Sequence, residues 1–583
     1  MKNLHFTIIA LLCLVNAKYS FSQKNTTYCN PINIDYGYTP IPNFTNWGKH
    51  RATADPVIVN YKGTYFLFST NQWGYWYSDD LSDWKFLSRK FLRPWNTNCY
   101  DELCAPAVGI VGDTMLVFGS TYTTNFTLWM STNPTKNEWK PLVDSFEIGG
   151  WDPAFFTDDD GRFYMYNGSS NRYPLYGIEL DRKTFKPKGT RKEMYFLESW
   201  RYGWQRFGEN LDDTFLDPFI EGAWMTKHNH KYYLQYGAPG TEFSHYSDGV
   251  AIGDSPLGWF GNQSDPLSMK SGGYARGAGH GATFQDNWSN YWHVSTIAIS
   301  TKNNFERRIG IWPAGFDKDD LMYCNTAYGD YPHYLPNGEA DHSKSRFTGW
   351  MLLNYKSSSK VSSTLGNHSP NNAVDENIKT YWSAKTGDSG EFIEVDLSKA
   401  CDIKAIQINY ADQDAEFMGK SAGVSHKYIL WQSLDGIHWE KLTDKSNNDK
   451  DVPHDYIEYH RPVKARFIKL ENIMMPTGKF AISGLRIFGN SNGDLPNSVS
   501  DLIVLRTEKD KRSAWLKWNP VDNAQGYVIY YGTQEDKLYT SIMVYDQNEY
   551  WLKTLDKEKK YYFKIEAFNE NGRTLSEKII NVD

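Results

Sequence analysis

The sequence predicts an all-β protein led by a five-bladed β-propeller. Three observations predict it. Five segments between residues 54 and 295 repeat one plan: a polar head, an apolar strand, a tight turn and an aromatic strand. Aromatic residues make up 16% of the chain, as many short strands with ring-bearing faces require. No stretch carries the 3.6-residue period of a long amphipathic helix. At 583 residues the chain exceeds one hydrophobic core, so further domains must follow the repeats.

Ahead of the repeats, residues 1–22 read as a secretory signal. Lys2 is followed by apolar residues 6–15, too few to span a bilayer, and then by small residues at Ser20 and Ser22, with Ala17 as a second cleavage point. Cys13 lacks the small residue that a lipoprotein signal places before it. The expectation is an exported, periplasmic or secreted monomer without a membrane anchor. A net charge of −7 with no basic stripe argues against nucleic acid. Export permits disulfides. The mature chain keeps Cys29, Cys99, Cys104, Cys324 and Cys401. A Cys29–Cys324 bridge could close the ring and Cys99–Cys104 a small loop; buried free thiols are the alternative. No cysteine–histidine cluster suggests zinc.

The propeller is assigned to residues 23–350. Its five heads are Ala54-Asp55-Pro56, Ala105-Pro106, Asp152-Pro153, Glu221-Gly222 and His280-Gly281. The returning strands include Leu67-Phe68-Ser69-Thr70, Phe118-Gly119-Ser120 and Val294-Ser295. Asp158-Asp159-Asp160-Gly161 is a hairpin turn. In a propeller the first strand of each blade lines the central channel, so the heads converge at one end. Three carboxyl groups, Asp55, Asp152 and Glu221, would then share a funnel with the imidazole of His280. Hydrolysis of a glycosidic bond needs such a set: one carboxyl protonated, to give a proton to the leaving oxygen, and one ionised, to take a proton from water.

These heads, with Gly279-His280-Gly281 and in this order, resemble glycoside hydrolase family 43. The resemblance covers about 300 residues. It implies Asp55 as general base, Glu221 as general acid and Asp152 as the residue that orients the acid and tunes its proton affinity. It implies His280 as the channel histidine, a ligand to water or to a structural calcium ion at the propeller centre, and no cofactor required for the chemistry. Arg308, with Arg307 as rival, matches a substrate-contacting arginine. The family inverts configuration. The carbohydrate substrates implied are arabinose-, xylose- or galactose-containing glycans of plants, with α-L-arabinofuranosidase or β-D-xylosidase as the leading activities. Galactan- or galactofuranose-directed action and a catalytically inactive sugar-binding propeller are the alternatives. The proline usual after Glu-Gly is Ala223 here. The Asn-Asp-Pro-Asn, Arg-Asp-Pro and Glu-Cys signatures of related retaining enzymes are absent. Trp73, Trp151 and Trp204 are candidate sugar platforms.

Residues 355–490 resemble a discoidin-like (coagulation factor type C) jelly roll, carried by Asn372-Ala373-Val374-Asp375, Thr380-Tyr381-Trp382-Ser383, Ser433-Leu434-Asp435-Gly436 and Leu485-Arg486-Ile487-Phe488-Gly489. Its calcium loop is partly matched by Asp375 and Thr380, while Ser483-Gly484-Leu485 replaces the usual glutamate, so packing against the propeller is at least as well supported as sugar binding. Residues 495–583 resemble fibronectin type III, an immunoglobulin-like sandwich, through Trp518-Asn519-Pro520, Gly526-Tyr527-Val528 and a Leu555–Tyr561 spacing suited to a tyrosine corner. A spacer role is expected for it.

Singly, each head has a structural explanation: Asp before Pro starts strands and turns, and a lone buried histidine is usually a satisfied core residue. The functional expectation rests on their shared position.

Overall fold

The structure, a computed structural model, describes residues 24–38, 50–70, 74–88, 103–120, 127–144, 146, 150–340, 345–416 and 423–583. The signal segment, Trp73 and Cys99 lie outside the described residues. Among those described there is no α-helix, only three short 3₁₀ turns and strands, and no helix long and apolar enough to cross a membrane.

Residues 57–324 form five antiparallel four-stranded blades. Their inner strands are Val57–Tyr61, Cys104–Val111, Ala154–Thr157, Glu221–His228 and Arg276–Gln285, and they neighbour one another in a closed cycle. Tyr65, Phe66, Leu67 and Phe68 of the first blade are all buried and join one core with residues of the second, third and fifth. The Asp158 turn is structural, as expected. Its carboxylate accepts hydrogen bonds from Lys227 (2.5 Å) and Tyr232 (2.7 Å), tying blade three to blade four.

The heads share an unusual backbone. Asp55, Ala105, Asp152, Gly222 and His280 all have positive φ, between 43° and 63°, a region that non-glycine residues seldom enter. In blades two, four and five this residue sits inside a bulge, between the paired positions Cys104/Ala107, Glu221/Trp224 and Gly279/Ala282. Bulges of this kind re-aim side chains near active sites. Their repetition corrects the expected register. The fourth-blade equivalent of Asp55 is Gly222, and Glu221 sits one residue earlier, level with Trp151 and Cys104. Gly222 is required there because a Cβ would come within 2.5 Å of the His280 ring.

Beyond the propeller, strands Met351–Leu352, Ala481–Asn490, Phe392–Tyr410, His454–Met474, Lys427–Ser433 and Glu440–Asp444 pair in that order as a jelly roll around Trp382, Phe480 and a layer of Ile and Leu. The long strand Phe392–Tyr410 changes register after Asp396 and after Ile403, and pairs with both His454–Met474 and Ala481–Asn490. The C-terminal part is a β-sandwich. Ile503–Arg506, Ala514–Lys517 and Glu549–Leu552 form one sheet; Thr540–Tyr545, Gly526–Gly532, Tyr561–Asn569 and Gly572–Leu575, with Ile580–Val582, form the other. Trp518 and Tyr561 are buried in its core, and Tyr561 Oη accepts the Asp556 N–H at 2.9 Å, closing the corner.

Both accessory parts dock on the propeller. At the jelly-roll seam, Arg51 donates to Asp412 (3.1 Å) and Asp451 (2.5 and 2.9 Å), and Arg308 donates to His454 (2.8 Å). Arg486 forks onto Glu376 (2.8 Å twice) and reaches the Asp330 carbonyl of the propeller. The Asp375–Thr380 loop is closed by its own hydrogen bond, Thr380 Oγ1 to Asp375 at 2.6 Å, and the Tyr274 carbonyl of the propeller accepts the Ile378 N–H of that loop at 3.1 Å. The C-terminal sandwich is no spacer. Arg201 pairs with Asp556, Arg206 with Asp510, Lys537 with Asp317 and Asp319, and Tyr539 stacks on Tyr323 at 4.8 Å. Cys29, Cys324 and Cys401 are free and buried, so the Cys29–Cys324 bridge is not formed; hydrogen bonds such as Asn30 Nδ2 to the Ile311 carbonyl (2.9 Å) hold that seam instead.

Candidate active site

The left-handed heads aim their side chains into one cavity of about 430 Å³ at the end of the channel, within the usual range of ~300–1,000 Å³ for small-ligand sites. Asp55, Asp152, Glu221, His280 and Arg307 line its floor, with Trp151, Phe219 and Phe305 among its walls.

Each head is pinned by its neighbour. The Asp55 N–H donates to Thr296 Oγ1 (2.9 Å), that of Ala105 to Thr70 Oγ1 (2.7 Å) and that of Asp152 to Ser120 Oγ (3.1 Å). Three hydroxyls at the ends of three second strands thus hold the strained heads of the following blades, an arrangement by which surrounding structure over-determines an unfavourable backbone.

His280 ties the carboxylates together: its Nδ1 lies 3.3 Å from Asp55 Oδ1 and 3.6 Å from Asp152 Oδ2. Arg307 Nη1 lies 3.6 Å from the same Asp55 oxygen and donates to Thr241 at 2.9 Å, while the Thr70 hydroxyl donates to Asp55 Oδ2 at 2.5 Å. Burial alone would raise the Asp55 pKa; His280, Arg307 and Thr70 outweigh it and hold the carboxyl below its ordinary range. Asp152 goes the other way. Burial, reinforced by the charges of Glu221 and Asp55, raises it well above the carboxylate range despite His280 and the Gly222 N–H. Burial lowers the affinity of His280 for a proton, and Asp55, Asp152 and Glu221 more than restore it, so its pKa stands above the ordinary histidine value. Glu221 is oriented at both oxygens: the Tyr246 hydroxyl donates to Oε1 (2.6 Å) and the Ser169 hydroxyl to Oε2 (3.0 Å).

The structure thus brings together Asp55, Asp152, Glu221, His280 and Trp151, whose ring is 37% exposed at the rim. It separates two others. Trp204 is fully buried, stacked on Tyr236 at 5.9 Å, and is a core wedge rather than a platform. Arg308 points into the jelly-roll seam; its neighbour Arg307 faces the cavity, because adjacent strand residues point to opposite faces. On the metal side, His280 presents Nδ1 to two carboxylates, and among the described residues no three His, Cys, Asp or Glu side chains are placed to hold an ion.

Sequence reasoning missed Thr70, Ser169, Thr241, Glu242 and Tyr246. A signal existed for Thr70, since Thr70, Ser120 and Thr296 fall at matching ends of the returning strands. Tyr246 and Glu242 lie on a connecting segment with no repeat to mark them.

The match to known families agrees with this geometry: residues 49–322 match the description "Glycosyl hydrolases family 43". The chain carries a family 43 glycosyl hydrolase domain. Residues 356–483 match the F5/8 type C domain. Among curated proteins, the chain is 26% identical over 157 residues to a beta-D-galactofuranosidase of Aspergillus niger, covering 27% of this chain and 40% of that one. It is 32% identical over 149 residues to a beta-xylosidase of Xylanibacter ruminicola, covering 22% and 43%. The chain therefore spans less than half the length of these relatives. A solved thermostable family-43 glycoside hydrolase is 20% identical, with 51% of this chain and 96% of that chain covered at a TM-score of 0.42.

Proposed function

We propose that this chain is an exported, inverting exo-acting or debranching glycosidase of plant polysaccharides or oligosaccharides, with α-L-arabinofuranosidase or β-D-xylosidase activity. One observation carries the proposal: Asp55, Asp152 and Glu221 converge from three blades on one aromatic-walled cavity, in unlike environments. Asp55, held ionised, takes the proton of a water that attacks the anomeric carbon. Glu221 gives its proton to the departing oxygen. Asp152, bonded to the Gly222 N–H, keeps the acid's strand in place. Arg307 and Trp151 contact the sugar. The domains proposed are a signal at 1–22, the propeller at 23–350, the discoidin-like roll at 355–490 and a fibronectin type III-like sandwich at 495–583, the last supported by its two packed antiparallel sheets of three and five strands. The name of the Aspergillus niger relative keeps galactofuranosides in the substrate panel.

The test is turnover of nitrophenyl arabinofuranoside, xyloside, galactoside and galactofuranoside. One sugar should be cleaved, and Glu221→Gln and Asp55→Asn should each lower kcat by about 10²–10⁴ without altering the fold. Sugar binding with no turnover on any substrate, polysaccharides included, would make the propeller a lectin.

A further inference from the structure

The outer face of the three-stranded sheet in the C-terminal sandwich carries an aromatic row that the proposed reaction leaves unused. Leu505, Trp515 and Trp551 lie directly opposite one another across the three strands, and Ile503, Lys517 and Glu549 form the next row. Leu505 and Trp551 are 53% and 56% exposed, and Lys517 sits over the Trp515 ring at 5.3 Å. Directly opposed residues on adjacent strands hold their Cβ atoms about 5 Å apart, so both indoles rise from neighbouring positions on the same face of the sheet.

Trp551 and Glu549 also line a cavity of about 310 Å³ between the sandwich and the propeller, closed on the propeller side by Asn210 and His245 and on the sandwich side by Gln547 and Thr554. The lining mixes amides, a hydroxyl and an imidazole with one carboxylate, Glu549, and one ammonium, Lys553, the latter bound to Asp212 at 2.6 Å. Exposed ring faces beside such a mixed set of donors and acceptors, with one charge of each sign in the lining, suit a neutral, polyhydroxylated ligand better than a charged one.

This cavity and the catalytic one are distinct, but a single segment, residues 241–246, serves both. Thr241 and Glu242 line the catalytic cavity, His245 lines the second, and Tyr246 bonds Glu221. Glu209, beside Asn210, accepts the Ser244 N–H at 2.8 Å and anchors that segment.

We infer that Trp551, with Trp515 and the cavity between the sandwich and the propeller, is a second saccharide-binding site that holds the remote part of a glycan whose end occupies the catalytic cavity. The inference rests on the glycosidase proposal for its biological sense, and its test separates the two. Full-length Trp551→Ala and Trp515→Ala/Trp551→Ala are compared with wild type on the nitrophenyl glycoside and on the matching polysaccharide. KM for the polysaccharide should rise about tenfold, a loss typical of one stacked ring, with kcat and the nitrophenyl KM within twofold and an unchanged melting temperature. Trp551→Phe should recover most of the loss. An unchanged polysaccharide KM would overturn the inference. In parallel, arabinohexaose and xylohexaose are titrated into the Glu221→Gln protein, following tryptophan fluorescence. A component of the quenching that is lost in Glu221→Gln/Trp551→Ala supports the site even if no glycoside is turned over; quenching of unchanged amplitude and midpoint in that variant, or none with either hexaose, refutes it. A concentration-dependent dimer dispersed by Trp551→Ala would assign the face to a second copy of the chain and refute it as well.

Discussion

Arg307 and Arg308 are consecutive residues of one strand and belong to two different worlds. Arg308 enters the jelly-roll seam, where it meets His454 and the carboxylate of Asp412. Arg307 enters the catalytic cavity, where its Nε has no partner and its Nη1 stands 3.6 Å from Asp55. Both regions bury several charges. In the seam each arginine faces acidic groups that answer it, and the cluster holds two domains together. In the cavity three carboxyl groups share one imidazole and one guanidinium, and the balance is left to whatever binds. Incomplete compensation is what distinguishes a site from a clasp.

That contrast can be broken by exchanging the roles. Arg308→Ala should be the costlier change for the fold: removing one partner of a buried charged cluster costs about 3–5 kcal/mol and should lower the melting temperature by roughly 5–15 °C. Its turnover of a nitrophenyl glycoside at 25 °C should stay within about twofold of wild type. Arg307→Ala should do the reverse, lowering kcat/KM on the order of 10²-fold with little change in melting, as loss of one preorganised donor does. If Arg308→Ala silenced the enzyme while melting normally, the two regions would not be separable as described.

Acid sharpens the comparison further. Burial opposes ionisation of Asp451, but Arg51 and His426 pull its pKa down to about 2, and Asp412 is held low by Arg51, Lys302 and Arg308 in the same way. An unfolded aspartate titrates near 3.9. Stability from a depressed carboxyl is therefore fully present above about pH 4 and drains as the pH falls through the folded value. For Asp451 alone this amounts to roughly 2–3 kcal/mol. Melting followed from pH 6 to pH 2.5 should show the loss concentrated below pH 4, and Arg51→Met should flatten that dependence. An unchanged acid slope in Arg51→Met would remove the seam from the explanation. The smallest effect is expected at Tyr246→Phe, which deletes the donor to Glu221 Oε1. Kcat should fall about tenfold, with KM within twofold, as for loss of one hydrogen bond to a charged group.

Much of this was legible in the chain and some was not, for definite reasons. Asp55, Asp152 and His280 could be placed because each heads a blade whose strand, turn and return repeat, and a repeat converts sequence distance into spatial coincidence. Glu221 could be found but not registered: only the positive φ of Gly222, where the His280 ring leaves no room for a Cβ, shows that the glutamate enters one residue early. The choice between Arg307 and Arg308 turned on which face of a strand meets the channel, a question of parity that a bulge upstream can invert. Trp151 and Trp204 are alike as letters; one is left at a rim and the other is covered by Tyr236, and cover is supplied by tertiary packing. The same limit hid the docking of the C-terminal sandwich, since Arg201 and Asp556 have no local pattern to announce their pairing.

The N-terminal strand carries a consequence for biogenesis. Thr26 and Thr27 donate four hydrogen bonds to Glu458, a residue 432 positions downstream of Thr26. A chain that emerges from the ribosome or the export channel in order delivers this strand first and its partner near the end. The ring is thus latched by material made long after its own blades, and Arg51 waits as long for Asp412 and Asp451. Excising the propeller at the linker, the usual way to obtain a catalytic domain, would remove the latch along with the appendage.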